Sequence, residues 1–308
     1  MPVPAEAFFL AAVPTTTGAP DQRFCIFYPA QGTTVLGLVL YIHPFAEEMN
    51  KARRMAALQA RALAQAGYAV LQLDLQGCGD SSGDFGDATW QNWVRDVVLG
   101  SQWLRTRHNG PGPQGRCAPL WLWGLRAGCL LAVEAAHQLD APCHFLFWQP
   151  PATGRALLQQ FLRLKAAADL QNNQAKSVMA GLRQQLSDGL PVEIAGYKLA
   201  PELATGLEQS VLLPAPAQAP GRRLEWLELS TRPDAAFSPA SRQAIAQLQQ
   251  RGFEVNTHLI DGPAFWQTSE IEEVPALIAA TTTAVSSSSA RGASAPFQLD
   301  ATAEVLAA

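Results

Sequence analysis

Short apolar stretches, Phe-Phe-Leu-Ala-Ala-Val over residues 8–13 and Phe-Cys-Ile-Phe-Tyr over residues 24–28, flank the turn-rich residues 15–21 and predict an antiparallel pair of strands. The run Leu36-Gly-Leu-Val-Leu-Tyr-Ile42 is likewise apolar throughout, as is Tyr68-Ala-Val-Leu-Gln-Leu73 but for one residue. Strands of that kind are covered on both faces. Between them, residues 51–66 carry a helical period that Gly67 ends, and residues 89–106 repeat the helical spacing with Trp90, Trp93 and Trp103. Further alternation of strand (143–148, 224–229, 254–260) and helix (238–250, 268–280) predicts a mostly parallel sheet with helices on both faces. Over residues 150–210 the strand signal fades. Two amphipathic helices, near residues 157–165 and 177–186, and a short extended piece at 191–197 are expected there. The predicted division is core (1–149), helical lid insertion (150–212), core again (213–282) and disordered tail (283–308), the last because residues from 281 onward are Thr- and Ser-rich and low in apolar bulk.

The stretch Leu120-Trp-Leu-Trp-Gly-Leu-Arg-Ala-Gly128 reads as a buried strand entering a Gly-x-x-x-Gly turn and then the helix that begins Cys129-Leu-Leu-Ala132. This is the frame of a nucleophile elbow, in which glycines let the strand reverse and hold the middle residue above the sheet at a helix N-terminus. The middle residue is Arg126. A guanidinium cannot be deprotonated to attack a carbonyl at neutral pH.

Composition narrows the possibilities. The 308 residues, 48% of them hydrophobic, suffice for one large α/β domain with an insertion. A formal charge of −4 offers no basic field, so nucleic acid is not an expected partner. Residues 1–14 lack a Lys or Arg ahead of their apolar run and are read as a first strand, not as a signal peptide, and no window reaches the length of a spanning helix. Five cysteines, Cys25, Cys78, Cys117, Cys129 and Cys143, stand singly without metal-type spacing, which suits a reducing cytoplasm. Neither a metal nor a cofactor is expected; Asp74, Asp80, Asp84 and Asp87 do not match calcium-loop spacing.

The segments His43-Pro-Phe-Ala-Glu-Glu-Met-Asn-Lys-Ala-Arg-Arg-Met55 and Asp74-Leu-Gln-Gly-Cys-Gly-Asp-Ser-Ser-Gly-Asp-Phe85 resemble the α/β-hydrolase-fold proteins that accompany the exosortase A system of exopolysaccharide synthesis and PEP-CTERM protein sorting. With the arginine elbow and the stretch from Asp261-Gly-Pro-Ala-Phe-Trp266 to Ile278, the chain is most similar to the second of that system's two hydrolase types. The resemblance spans residues 5–282. It implies an α/β-hydrolase fold, a bacterial cytoplasmic setting, exopolysaccharide or exosortase proteins as partners, and a hydrolase label.

The reaction must be judged on the residues themselves. The fold places a nucleophile at the elbow, an acid after a later strand and a histidine after the last one. Here the elbow holds Arg126, the acid position offers Asp234 with Glu228 as second choice, and Phe265 stands at the histidine turn. Two chemical roles are missing together. His43 ends the strand before the oxyanion loop and is read as a residue that shapes it. His108, His137, His144 and His258 lie on helix ends or strands away from the turn. Cys78, with Ser81 and Ser82 on a mobile Gly-rich loop, is the alternative nucleophile for ester or thioester hydrolysis, and Arg126 would supply its electropositive setting. Arg126 itself either binds a small acidic or acylated ligand or pairs internally with Asp74, Glu47, Glu48 or Asp234. The candidate ligand-binding set is Arg126, His43, Glu47, Glu48, Asp74, Leu125 and Phe265. A third reading makes the helices of the insertion a partner interface, marked by an exposed apolar stripe.

Overall fold

The computed structural model describes residues 4–12, 21–108, 117–168, 175–215 and 221–292. Among them, β1 (Glu6–Ala11), β2 (Gln22–Tyr28), β3 (Gly37–Ile42), β4 (Tyr68–Leu73), β5 (Leu120–Leu125), β6 (His144–Trp148), β9 (Arg223–Ser230) and β10 (Glu254–Asp261) form one sheet in the order β1-β2-β4-β3-β5-β6-β9-β10. β1 and β2 pair antiparallel, as do β2 and β4; the remaining pairs are parallel. Every residue of β3 and β5 is buried, which accounts for their unbroken apolar runs. One face packs Leu38, Leu40, Trp93, Leu122, Phe145 and Trp226, the other Val39, Tyr41, Trp123, Leu125, Trp148 and Phe265. Tryptophans 90, 93, 121, 123 and 148 are all core. This is the mostly parallel sheet that the alternation of elements predicts, and the α/β-hydrolase fold that the resemblance implies.

Three helices have sequence-readable starts. α2 (Trp90–Arg107) is capped by Thr89, whose hydroxyl accepts from Asn92 N, and α7 (Pro239–Gln250) by Ser238 with Pro239 in the first turn. α3 (Ala127–Ala136) instead begins at the elbow itself. Two boundaries differ from the sequence expectation. α1 runs Glu47–Gln65, a turn earlier than residue 51, so Glu47 and Glu48 occupy its first turn, where acidic side chains meet the positive end of the helix dipole. α8 starts at Pro275, not 268, and continues to Gly292, so residues 283–292 are helical where a disordered tail was expected. The reason is packing: Thr281 and Val285 are fully buried, Trp148 Nε1 donates to Thr281 Oγ1 at 2.9 Å, and the Thr282 hydroxyl donates back to Ile278 O. The rest of that expected tail, 293–308, lies outside the described residues.

Between β6 and β9 the chain forms α4 (Gly154–Ala168), α5 (Ala175–Ser187), α6 (Pro201–Gln209) and a hairpin of β7 (Val192–Ile194) with β8 (Tyr197–Leu199). The hairpin replaces the single extended piece expected at 191–197. Ala195 and Gly196 turn it with positive φ, an Ala-Gly tip whose strands are too short to register as alternation. Leu157, Leu158, Phe161, Leu162 and Leu182 face the core, and Phe161 meets Phe45 edge-on at 5.1 Å. Among the described residues of α4 and α5, Leu164 is the one large exposed apolar side chain, so the stripe that would mark an interface is absent there.

Candidate functional site

The elbow is built by two close approaches. A Cβ on Gly124 would stand 2.5 Å from Cys129 N, and one on Gly128 would stand 2.1 Å from Ile42 O, so neither position accepts a side chain. Between them Arg126 takes φ 53° and ψ −116°, a strained conformation for a non-glycine residue, held by Arg126 N donating to Trp148 O (3.0 Å) and Cys129 N donating to Arg126 O (3.0 Å). The strained residue is thus presented at the N-terminal end of α3. Ala46 makes a second such corner at the start of α1, with φ 50° and ψ −128°.

The Arg126 side chain is only 13% exposed. Its Nη2 donates to Gln160 Oε1 of α4 at 2.8 Å and to Glu48 Oε1 of α1 at 3.2 Å, while Nε reaches both Glu48 oxygens at 3.4 Å. Glu48 also accepts from Gln267 Nε2 at 3.3 Å, and the guanidinium carbon lies 5.8 Å from the centre of the Trp266 ring, within cation–π range. Of the four carboxylates expected as partners, Glu48 is the one that Arg126 meets. Glu47 turns to Tyr197 of the hairpin (3.0 Å), Asp74 accepts from Arg53 (2.9 Å) and Asp80 N, and Asp234 is exposed in the turn after β9. Glu228, the second choice for the acid, is buried and accepts from Trp226 Nε1 at 2.8 Å.

Phe265 is fully buried, with Trp148 at 6.0 Å and Trp266 at 5.0 Å, both edge-on. It belongs to the same core cluster as Leu125, also buried, and offers no atom for proton transfer. His43 is buried and fully engaged: Nδ1 bonds Pro44 O at 2.8 Å, and Nε2 accepts from Leu75 N at 3.2 Å. Burial holds its pKa below the ordinary imidazole value, against the upward pull of Asp74. It ties the loop after β3 to the loop after β4.

Neither Cys78 nor Cys129 is displayed as an accessible thiol. Cys78 is buried, not displayed on a mobile loop, because Gly77 N donates to Ser82 O, Ser81 N to Cys78 O and the Ser81 hydroxyl to Asp74 O, folding the segment onto β2. Burial pushes its pKa well above the usual thiol value, with Asp74 and Asp96 adding to the effect, and Arg53 and Arg23 are the cations that oppose it. Arg126 is not among them. Cys129 is buried too, and its thiol is pushed up by burial against Arg126. No group of three or more His, Cys, Asp or Glu side chains positioned to hold a metal occurs among the described residues. None of their helices is long and apolar enough to cross a membrane.

Sequence reasoning missed Gln160, Trp266 and Gln267 as members of the site. Gln160 sits on the polar side of an amphipathic helix more than thirty residues from the elbow, where no local pattern marks it. Trp266 was legible only as the neighbour of Phe265.

Comparison with known proteins agrees with the architecture. The human protein ABHD12B is 27% identical over 129 residues, a stretch that spans 42% of this chain and 32% of that protein, so the chain matches about a third of that relative. A soluble variant of monoglyceride lipase from Saccharomyces cerevisiae superposes with a TM-score of 0.58 at 13% identity, covering 93% of this chain and 95% of the lipase. A putative hydrolase from Agrobacterium vitis does so with a TM-score of 0.55 at 12% identity, covering 93% and 99%. At such identities the likeness carries the fold alone. The sequence profile of the serine aminopeptidase S33 family matches residues 33–189, half of the chain and the half that includes the elbow, and the chain belongs to this family of α/β hydrolases.

Proposed function

We propose that this chain is a member of the family without serine-hydrolase chemistry, in which Arg126 at the elbow recognises the carboxylate or phosphate of a small acidic or acylated ligand beneath a lid formed by residues 150–212. The observation that carries the proposal is the Arg126–Glu48 contact. Its N–O separations of 3.2 to 3.4 Å exceed the roughly 2.7–2.9 Å of a well-formed charge-assisted bond. Glu48 therefore stands in for the ligand's acid group, and a carboxylate free to approach in the guanidinium plane gains by displacing it. The start of α3 favours the same charge. In this reading Gln160 and Tyr197 hold the lid over the site, and the protein acts in the bacterial cytoplasm as a binding or scaffolding component of exopolysaccharide and PEP-CTERM machinery, a role that the resemblance to the second exosortase-associated hydrolase type supports.

Thermal-shift and calorimetric titrations with decanoate, glucuronate and inorganic phosphate test this. At least one of them is expected to raise the melting temperature of the wild type, more strongly in Glu48→Gln, where the internal competitor is gone, and not in Arg126→Ala. Absence of any Arg126-dependent shift with all three ligands contradicts the proposal.

A further inference from the structure

A cavity of about 230 Å³ lies apart from the elbow, between α1 and the outer half of the sheet. That is far above the roughly 15 Å³ that a single water needs. Its floor is one cross-strand row, Ile26 of β2, Gln72 of β4 and Tyr41 of β3, which the strand registers place side by side. Tyr28 continues the floor, and Met49, Arg53, Ala56, Ala57 and Arg61 of α1 form the roof, one face of the helix at spacings of three and four.

The chemistry of the lining is uneven. Nε2 of Gln72 is buried and has no hydrogen-bond partner among the described residues, a state that costs free energy unless an acceptor enters the cavity. Arg53 and Arg61 bring two guanidinium groups to it. Asp74, the one carboxylate in the lining, is already held by Arg53 and by Asp80 N, and burial keeps His43 neutral. Arg61 lies 6.0 Å above the Tyr28 ring and is exposed at the rim. The lining thus carries excess positive charge and an unmet donor over an aromatic and aliphatic floor of Tyr28, Tyr41, Ile26 and Met49. That combination suits a monocarboxylate with a compact apolar or aryl body, its acid group between Arg61 and Gln72.

We propose that this cavity is a second ligand site, for small organic carboxylates, independent of Arg126. The test is titration of the full chain with benzoate and with neutral benzamide, followed by calorimetry and ligand-observed NMR, in the wild type and in the Arg126→Ala background so that binding at the elbow does not contribute. The expected result is benzoate binding that persists in Arg126→Ala, weakens about tenfold when Arg61→Gln removes the rim charge, and disappears when Ala57→Trp fills the cavity, while benzamide binds more weakly throughout. Both α1 substitutions are at positions that are exposed or partly exposed, and an unchanged circular dichroism spectrum confirms that they fold. Failure of benzoate to bind in the Arg126→Ala background, binding indifferent to both Arg61→Gln and Ala57→Trp, or equal affinity for benzamide overturns the proposal.

Discussion

Arg126 at the start of α3 and Glu48 in the first turn of α1 meet across the carboxyl ends of β3 and β5, with Nη2 of the first 3.2 Å from Oε1 of the second. The two helices bring opposite side-chain charges to a point where both present a positive dipole end. Gln160 joins the same guanidinium from α4, so one side chain ties the sheet, the first helix and the insertion together.

Arg126→Ala removes all of these ties at once. Because the pair is partly exposed and its bonds are long, the cost to global stability is about 1 kcal/mol. The local effect is larger: limited proteolysis should cut within residues 150–212 faster than in the wild type, and Gln160→Ala should reproduce part of that acceleration. Equal cleavage rates in wild type and both variants would show that Arg126 does not hold the insertion.

Gly128→Ala tests the close approach of α3 to β3. The added methyl meets Ile42 O at 2.1 Å, and a carbonyl within a central strand has no room to retreat. A loss of about 3 kcal/mol or more is expected by denaturant unfolding. Gly181→Ala serves as the control, since a Cβ there meets nothing within 4 Å.

The succession of strands and helices was legible because β3 and β5 are buried on both faces and the helices carry clean amphipathic periods. The arginine elbow could be read from Gly124 and Gly128 for the same reason: both glycines answer to backbone geometry, which is local. What escaped the sequence is long-range. Thr281 and Thr282 belong to a polar tract, yet one bonds Trp148 and the other Gln59, more than a hundred residues away, and so extend α8 past the point where composition suggests disorder. Likewise nothing near Arg126 shows that Glu48, and not Asp74, will meet it. That choice follows from α1 starting at Glu47 and from Arg53 taking Asp74.

Phe265→His should not restore function. The position is fully enclosed by Trp148 and Trp266, so an imidazole placed there is desolvated in an aromatic pocket and costs about 2 kcal/mol. A lower denaturation midpoint with no gain in ester hydrolysis is the expected outcome. A stable variant with measurable turnover would mean that the site keeps a nucleophile.

His144 makes a contribution to stability that falls on the acid side of neutrality, and Asp96, whose carboxyl burial pushes up to about 6, opposes it over the same window. Burial, reinforced by the Arg223 and Arg222 guanidinium groups, pushes the pKa of His144 down to about 4, and its Nδ1 accepts from Arg223 N at 3.1 Å. In the unfolded chain the same imidazole titrates near 6.5. Between those values the unfolded state takes up a proton that the folded state refuses, so stability is retained above pH 6.5 and lost as the pH falls toward 4, by about 3 kcal/mol at the acid end from this residue. His43, also lowered by burial, acts in the same direction. His144→Gln should remove that loss, so that the unfolding free energy at pH 4 relative to pH 7 is higher in the variant than in the wild type; an unchanged difference would assign the pH dependence to other groups.

In the proposed reading the site has lost two chemical roles together, with Arg126 at the elbow and Phe265 at the histidine turn. Labelling with a fluorophosphonate probe, read beside hydrolysis of p-nitrophenyl esters, tests it most directly. The wild type is expected to take no label and to show no turnover above the uncatalysed rate, and Arg126→Ser is expected to stay inert because Phe265 cannot accept the serine proton. Stoichiometric labelling of the wild type, or ester turnover that survives Arg126→Ala, would contradict the account.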